Sequence, residues 1–129
     1  MTASTHRRKI LVVDDNRDAA DTLAMLLDFL GYETKTAYDG QQGVDVATAF
    51  QPDLVILDIN MPVMDGYEAA RTLRNARGTS RAVLVALTAR ASANDKAAAL
   101  QAGFDYHVVK PVDGAGLAEL VEHAVEAEH

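Results

Sequence analysis

The sequence predicts an α/β three-layer sandwich built on one five-stranded parallel sheet with five helices. Two observations carry this. Apolar, β-branched runs alternate with helical patterns five times along the chain. The stronger runs are continuous rather than alternating, as in strands buried on both faces of a parallel sheet.

Ile10-Leu11-Val12-Val13 is the first strand and ends in Asp14-Asp15. Leu23, Leu26, Leu27 and Leu30 then share one helical face, which stops at the breaker Gly31. Glu33 to Ala37 is a weaker second strand. Asp39-x-x-Gln42 and Asp65-x-x-Glu68 have the form of capping boxes opening the second and third helices. Between them Leu54-Val55-Ile56-Leu57 ends in Asp58, and after them Ala82 to Leu87 ends in Thr88. The fourth helix, around Ala93 to Gln101, is alanine-rich, with Leu100 as its one large apolar anchor. It should be the least firmly packed. His107-Val108-Val109 ends in Lys110, and Leu117, Leu120, Val121, Ala124 and Val125 stripe a last helix capped by Asp113.

Right-handed crossovers leave few topologies, of which 2-1-3-4-5 leads. In that order the chain reverses direction between strands 1 and 3, opening a crevice at their carboxyl ends where ligands bind. A chain of 129 residues suits one domain, read here as a flexible tail over residues 1–8 and a folded unit over 9–127.

Composition excludes several functions. A net charge of −7 argues against direct nucleic-acid binding. Without cysteine there are no disulfides or thiolate metal sites. No apolar run is long enough for membrane insertion and the first residues lack a signal peptide, so the expected location is cytoplasmic. His6, His107, His123 and His129 are scattered, without the helical pairing of a zinc site.

Parallel strands deliver Asp14, Asp15, Asp58, Thr88 and Lys110 to one edge of the sheet. Singly, each reads as a turn, a cap or a solvated charge. Together they hold the parts of a phosphoryl-transfer site. Three crowded carboxylates call for a cation, and oxygen-only ligands with room for water favour Mg2+ over Ca2+. Asp58 is the candidate nucleophile. Lys110 and the Thr88 hydroxyl supply donors for phosphoryl oxygens, and Ala89 leaves space for the group to enter.

The segments Leu11-Val12-Val13-Asp14-Asp15-Asn16 and Asp58-Ile59-Asn60-Met61-Pro62-Val63-Met64-Asp65-Gly66, with Thr88-Ala89 and Val109-Lys110-Pro111, resemble response-regulator receiver domains over residues 8 to 127. The resemblance implies that Asp58 accepts phosphate from a histidine kinase or a histidine phosphotransfer protein and signals to a downstream partner or output segment. It implies Mg2+ ligation by Asp15, Asp58 and the Asn60 backbone carbonyl, with Asp14 acting through water, and a cis Lys110–Pro111 bond. Receivers commonly carry Tyr or Phe where this chain has His107. Two readings stand for it: a strand residue packed on the fourth helix, or a switch residue moving with Thr88. The Gly103-to-Asp113 segment looks most like receivers of hybrid sensor kinases. Two readings also stand for Ala19 and Ala20: core packing, or close approach of a partner helix.

Two other functions use similar parts. A phosphatase of the haloacid dehalogenase type would need an acid at position 60, where Asn60 stands. A flavodoxin-like electron carrier would seat phosphate in the loop after strand 1, which here is acidic. The regulatory phosphoacceptor is therefore preferred to an enzyme.

Overall fold

The structure, a computed structural model, describes residues 8–61, 64–89, 92–110 and 114–127. Strands β1 (Lys9–Val13), β2 (Glu33–Ala37), β3 (Leu54–Asp58), β4 (Val83–Thr88) and β5 (Tyr106–Val109) alternate with five helices. These are α1 (Arg17–Phe29), α2 (Gly40–Phe50), α3 (Gly66–Asn75), α4 (Ala93–Ala102) and α5 (Gly114–Ala127). Every pairing is parallel and the order is β2-β1-β3-β4-β5, as the sequence predicts.

Strand alternation divides the apolar residues between two faces. Leu11, Val13, Val55, Leu57, Leu84 and Ala86 pack against α2, α3 and α4. Ile10, Val12, Leu54, Ile56, Val83 and Val85 pack against α1 and α5. β1, β3 and β4 lie inside the sheet and are buried almost throughout, which is why their sequences are continuously apolar. β2 is an edge strand, and of its five residues only Ala37 is buried. Each fully buried Leu or Ile contributes about 1.5–3 kcal/mol by leaving water.

Helix starts follow the side chains that can accept from free N–H groups. Asp39 accepts from the Gln42 N–H at 2.8 Å, and Asp65 from the Glu68 N–H at 2.9 Å. The return bond of α2 runs one residue earlier than a capping box requires, from the Tyr38 N–H to Gln42 Oε1. Asn16 caps α1 and Ser92 caps α4 in the same way. Pro111 and Asp113 lie outside the described residues.

Two expected anchors are not anchors. Leu30 is 47 % exposed, because α1 ends at Phe29 and buries Ala20, Ala24 and Leu27 instead. Leu100 is 69 % exposed, because Ala99 and Ala102 set the phase of α4 against the sheet. α4 is therefore held even more lightly than its sequence suggests. The α5 stripe is as expected: Leu117, Val121, Ala124 and Val125 are buried and Leu120 packs at the margin.

Arg74 of α3 ties the bottom of the sheet together. Its guanidinium donates to the carbonyls of Gly103, Ser80 and Ala82 and pairs with Asp105. At the other edge α3 begins directly against the end of β3. A Cβ at Gly66 would lie 2.7 Å from the Asp58 carbonyl oxygen and 2.7 Å from Ile59 Cα, both backbone atoms that cannot swing away. Gly66→Ala should therefore cost about 1–3 kcal/mol in urea unfolding. A variant as stable as its parent would show that the helix start is not fixed on Asp58.

Candidate functional site

The register of the inner strands sets the polar residues level. Val13 pairs with Leu57 and Leu57 with Ala86, so Asp14 and Asp58 each sit one residue beyond a matched pair. Thr88 pairs with Val109, and the Lys110 N–H donates to the Thr88 carbonyl at 2.7 Å. Asp58 thus ends the middle strand, with Asp14 on one side and Thr88 and Lys110 on the other.

Asp14, Asp58 and Thr88 are each 3 % exposed, while Asp15 and Asn60 are open to solvent. Asp14, Asp15 and Asp58 can each offer a carboxylate oxygen within 4.8 Å of the others. The two buried acids are held alike. One oxygen of Asp14 accepts from the Asn16 N–H at 3.0 Å, and one of Asp58 from the Asn60 N–H at 3.1 Å. The second oxygen of each faces Lys110, whose Nζ lies 3.5 Å from Asp14 and 3.2 Å from Asp58.

Burial and the neighbouring Asp14 charge push the Asp58 carboxyl up to about 6. Lys110 and the Asn60 N–H oppose that rise without cancelling it. For Lys110, burial works against its charge, but Asp58 and Asp14 outweigh burial and its pKa is raised. One ammonium cannot neutralise three carboxylates. The excess negative charge and all-oxygen donor set fit a hard divalent cation, which would sit among Asp14, Asp15 and Asp58.

Asn16 is the residue that sequence reasoning missed as a contributor: it caps α1 and its N–H orients Asp14. Its signal was available, since Asn before a helical run is a favoured cap. The two alanines separate. Ala20 is in the core, whereas Ala19 is exposed and borders a groove with Asn16, Asp18 and Lys110. His107 pairs across with Ala86 and borders a cavity of about 180 Å³ beside Lys96, Ala99 and Phe104. Its Nε2 is buried with no hydrogen-bond partner among the described residues.

Residues 10–122 match the family model of the response regulator receiver domain. The response regulator MprA of Mycolicibacterium vanbaalenii is 43 % identical over 103 residues, 80 % of this chain and 44 % of that protein. The transcriptional regulatory protein PrrA of Mycobacterium leprae is 44 % identical over 113 residues, 88 % of this chain and 46 % of that one. The chain therefore spans about half the length of these curated relatives. A CheY-like receiver domain protein from Methanospirillum hungatei superimposes with a TM-score of 0.89 at 27 % identity, covering 95 % of this chain and 97 % of that one. The receiver domain of sensor histidine kinase PA1611 from Pseudomonas aeruginosa gives 0.84 at 32 % identity, covering 94 % and 99 %. That structure has a magnesium ion coordinated in its active-site cleft. Nothing in these likenesses supports a phosphatase or a flavin carrier.

The raised Asp58 pKa has a thermodynamic consequence. The folded carboxyl binds its proton more tightly than an ordinary carboxyl at 3.8, so stability should rise as pH falls through about 6 towards 4. The gain is on the order of 2–3 kcal/mol in metal-free protein. Asp58→Asn should remove this component and be the more stable protein at neutral pH, as read by urea midpoints of both across the range. Magnesium should raise the melting temperature of the parent and affect the variant less. Parallel pH curves for the two proteins would mean that Asp58 is not strained by its neighbours.

Proposed function

The chain belongs to the response regulator receiver domain family, and from that membership we propose that Asp58 is its phosphoacceptor, charged by a histidine kinase or a histidine phosphotransfer protein. The observation that supports this most is the position of Asp58 at the end of the central strand, between a second buried acid and Lys110.

An Asp58 oxygen attacks the donor's phosphorus, the P–N bond to the donor imidazole breaks, and an acyl phosphate forms. Hydrolysis later returns the carboxylate. Lys110, already within 3.2 Å of Asp58, pairs with an oxygen of the incoming group. Thr88, at the end of the neighbouring strand, offers its hydroxyl to another. Mg2+ bound by Asp15, Asp58 and the Asn60 carbonyl, with Asp14 acting through water, would offset the charge that builds on the phosphoryl oxygens. Asn60 has no acidic proton for a leaving group, which favours a stable phosphoacceptor over a turnover phosphatase.

Phosphate on Asp58 leads outward through β4 and β5. Thr88 drawn towards the phosphoryl group leaves room on the face where His107 lies, and His107 has reason to move. Its buried Nε2, without a hydrogen-bond partner among the described residues, costs about 1–3 kcal/mol where it stands. Next to it α4 buries only Ala99 and Ala102, so few contacts hold the α4–β5–α5 face in one arrangement. A downstream protein, or an output segment of a longer chain, would read that face.

Incubation with acetyl phosphate and magnesium should add one phosphoryl group per chain by intact mass. Prior chelation or Asp58→Asn should abolish the addition; undiminished labelling of the variant would transfer the role to another residue. Hydrogen exchange with and without beryllofluoride tests the outward route. Protection should change across residues 92–109, and a change confined to the strand ends around Asp14 and Asp58 would refute it.

A further inference from the structure

The edge opposite the acidic cleft carries a groove of about 820 Å³, bounded by Gln51–Asp53, the 77–82 loop and the Gly103–Asp105 turn. That volume lies within the usual range of small-molecule clefts. Among the described residues four arginines line it, Arg8, Arg74, Arg77 and Arg81, in a protein of net charge −7.

Among the described residues, the acids that line the groove are already engaged. The Asp53 carboxylate accepts from the Lys9 N–H at 2.8 Å. The Asp105 carboxylate is held by Arg74 and by the Leu84 N–H. Arg74 itself is taken up by three carbonyls and Asp105. Arg77 and Arg81 are in another condition. Both are exposed, and neither guanidinium makes an ion pair or a hydrogen bond among the described residues.

The loop bearing them adds neutral donors. Within it Thr79 and Ala82 spend their N–H groups on Ala76 and Thr79 carbonyls. The backbone N–H groups of Arg77, Gly78, Ser80 and Arg81 enter no hydrogen bond among the described residues. Gly78 leaves room for Gln51, since a Cβ there would lie 2.8 Å from Gln51 Nε2. Gln51 holds a left-handed backbone (φ 51°), and its side-chain amide is also without a partner among the described residues.

We propose that this groove binds a small molecule bearing a diphosphate group, with Arg77 and Arg81 pairing with its phosphates and the loop N–H groups and Gln51 amide taking further oxygens. A guanidinium fork matches two phosphate oxygens at once. Successive unpaired N–H groups in a turn form anion-binding concavities. Two guanidiniums on one short loop suit the dense charge of a diphosphate better than the spaced carboxylates of an acidic peptide.

The test is titration of the whole chain with ADP, inorganic pyrophosphate, adenosine and a glutamate-rich peptide, followed by amide NMR in chelator. Chelation keeps a metal–phosphate complex out of the acidic cleft. ADP and pyrophosphate should give saturable shifts at residues 77–82 and Gly103, and adenosine none. The double variant Arg77→Ala/Arg81→Ala, checked for folding by circular dichroism, should weaken both by about tenfold or more. Arg71→Ala/Lys96→Ala removes equal charge from exposed positions outside the groove and should leave binding unchanged. Absence of saturation, shifts centred on Asp14 and Asp58, or equal weakening by the control pair would each overturn the proposal. So would saturation by adenosine, or by the peptide at the strength of ADP.

Discussion

Two buried carboxylates share one ammonium at the carboxyl edge of this sheet, and a third carboxylate stands beside them. Lys110 Nζ lies 3.5 Å from Asp14 and 3.2 Å from Asp58, and neither contact compensates the other. The repulsion is not a defect of local sequence that a turn could relax. Asp14 and Asp58 are fixed level because Val13 and Leu57 are paired in a fully buried part of the sheet. Apolar packing on both faces therefore imposes the electrostatic strain, and the strain raises the proton affinity of Asp58.

The surrounding backbone is arranged so that the strain cannot leak away through small movements. Asn16 and Asn60 each point an N–H at one oxygen of the acid two residues earlier, fixing both side chains. Gly66 lets the start of α3 rest on the Asp58 peptide itself. At the far end, Arg74 binds the 80–82 segment to the Gly103–Asp105 turn. Against this rigid frame α4 is the exception. It presents Ala99 and Ala102 to the core and leaves Leu100 in water, so little apolar area opposes its displacement.

Much of this was legible in the sequence. Continuous apolar runs marked the inner strands, and the polar residue closing each run marked the candidate site, because a parallel sheet collects strand ends on one edge. Leu30 and Leu100 were misread for a common reason. Helical spacing shows which residues share a face, but not where a helix stops or which phase small residues impose against a sheet. Alanine is the weak point of such reading, since Ala99 and Ala102 bury as well as leucine while giving no strong periodic signal. The Arg74 clamp was also out of reach, for it joins α3 to the segments leading into β4 and β5, which only tertiary packing brings together.

The same topology that gathers acids on one edge gathers bases on the other. With parallel strands, every residue just before a strand lies at the amino edge, and Arg8 and Arg81 stand there at the entries to β1 and β4. Arg74 and Arg77, from the end of α3 and the loop after it, join them because α3 runs back from the carboxyl edge. Asp53 and Asp105, which precede β3 and β5, share that edge, and among the described lining residues the four arginines outnumber these two acids. Screening over about 8–10 Å at physiological salt weakens the attraction between exposed charges at the two edges. A cation entering the cleft and an anion resting against Arg77 would then act on one another only weakly through solvent. Coupling between them would have to pass through the packed backbone, and the Arg74 clamp on the segments leading into β4 and β5 is the mechanical connection available.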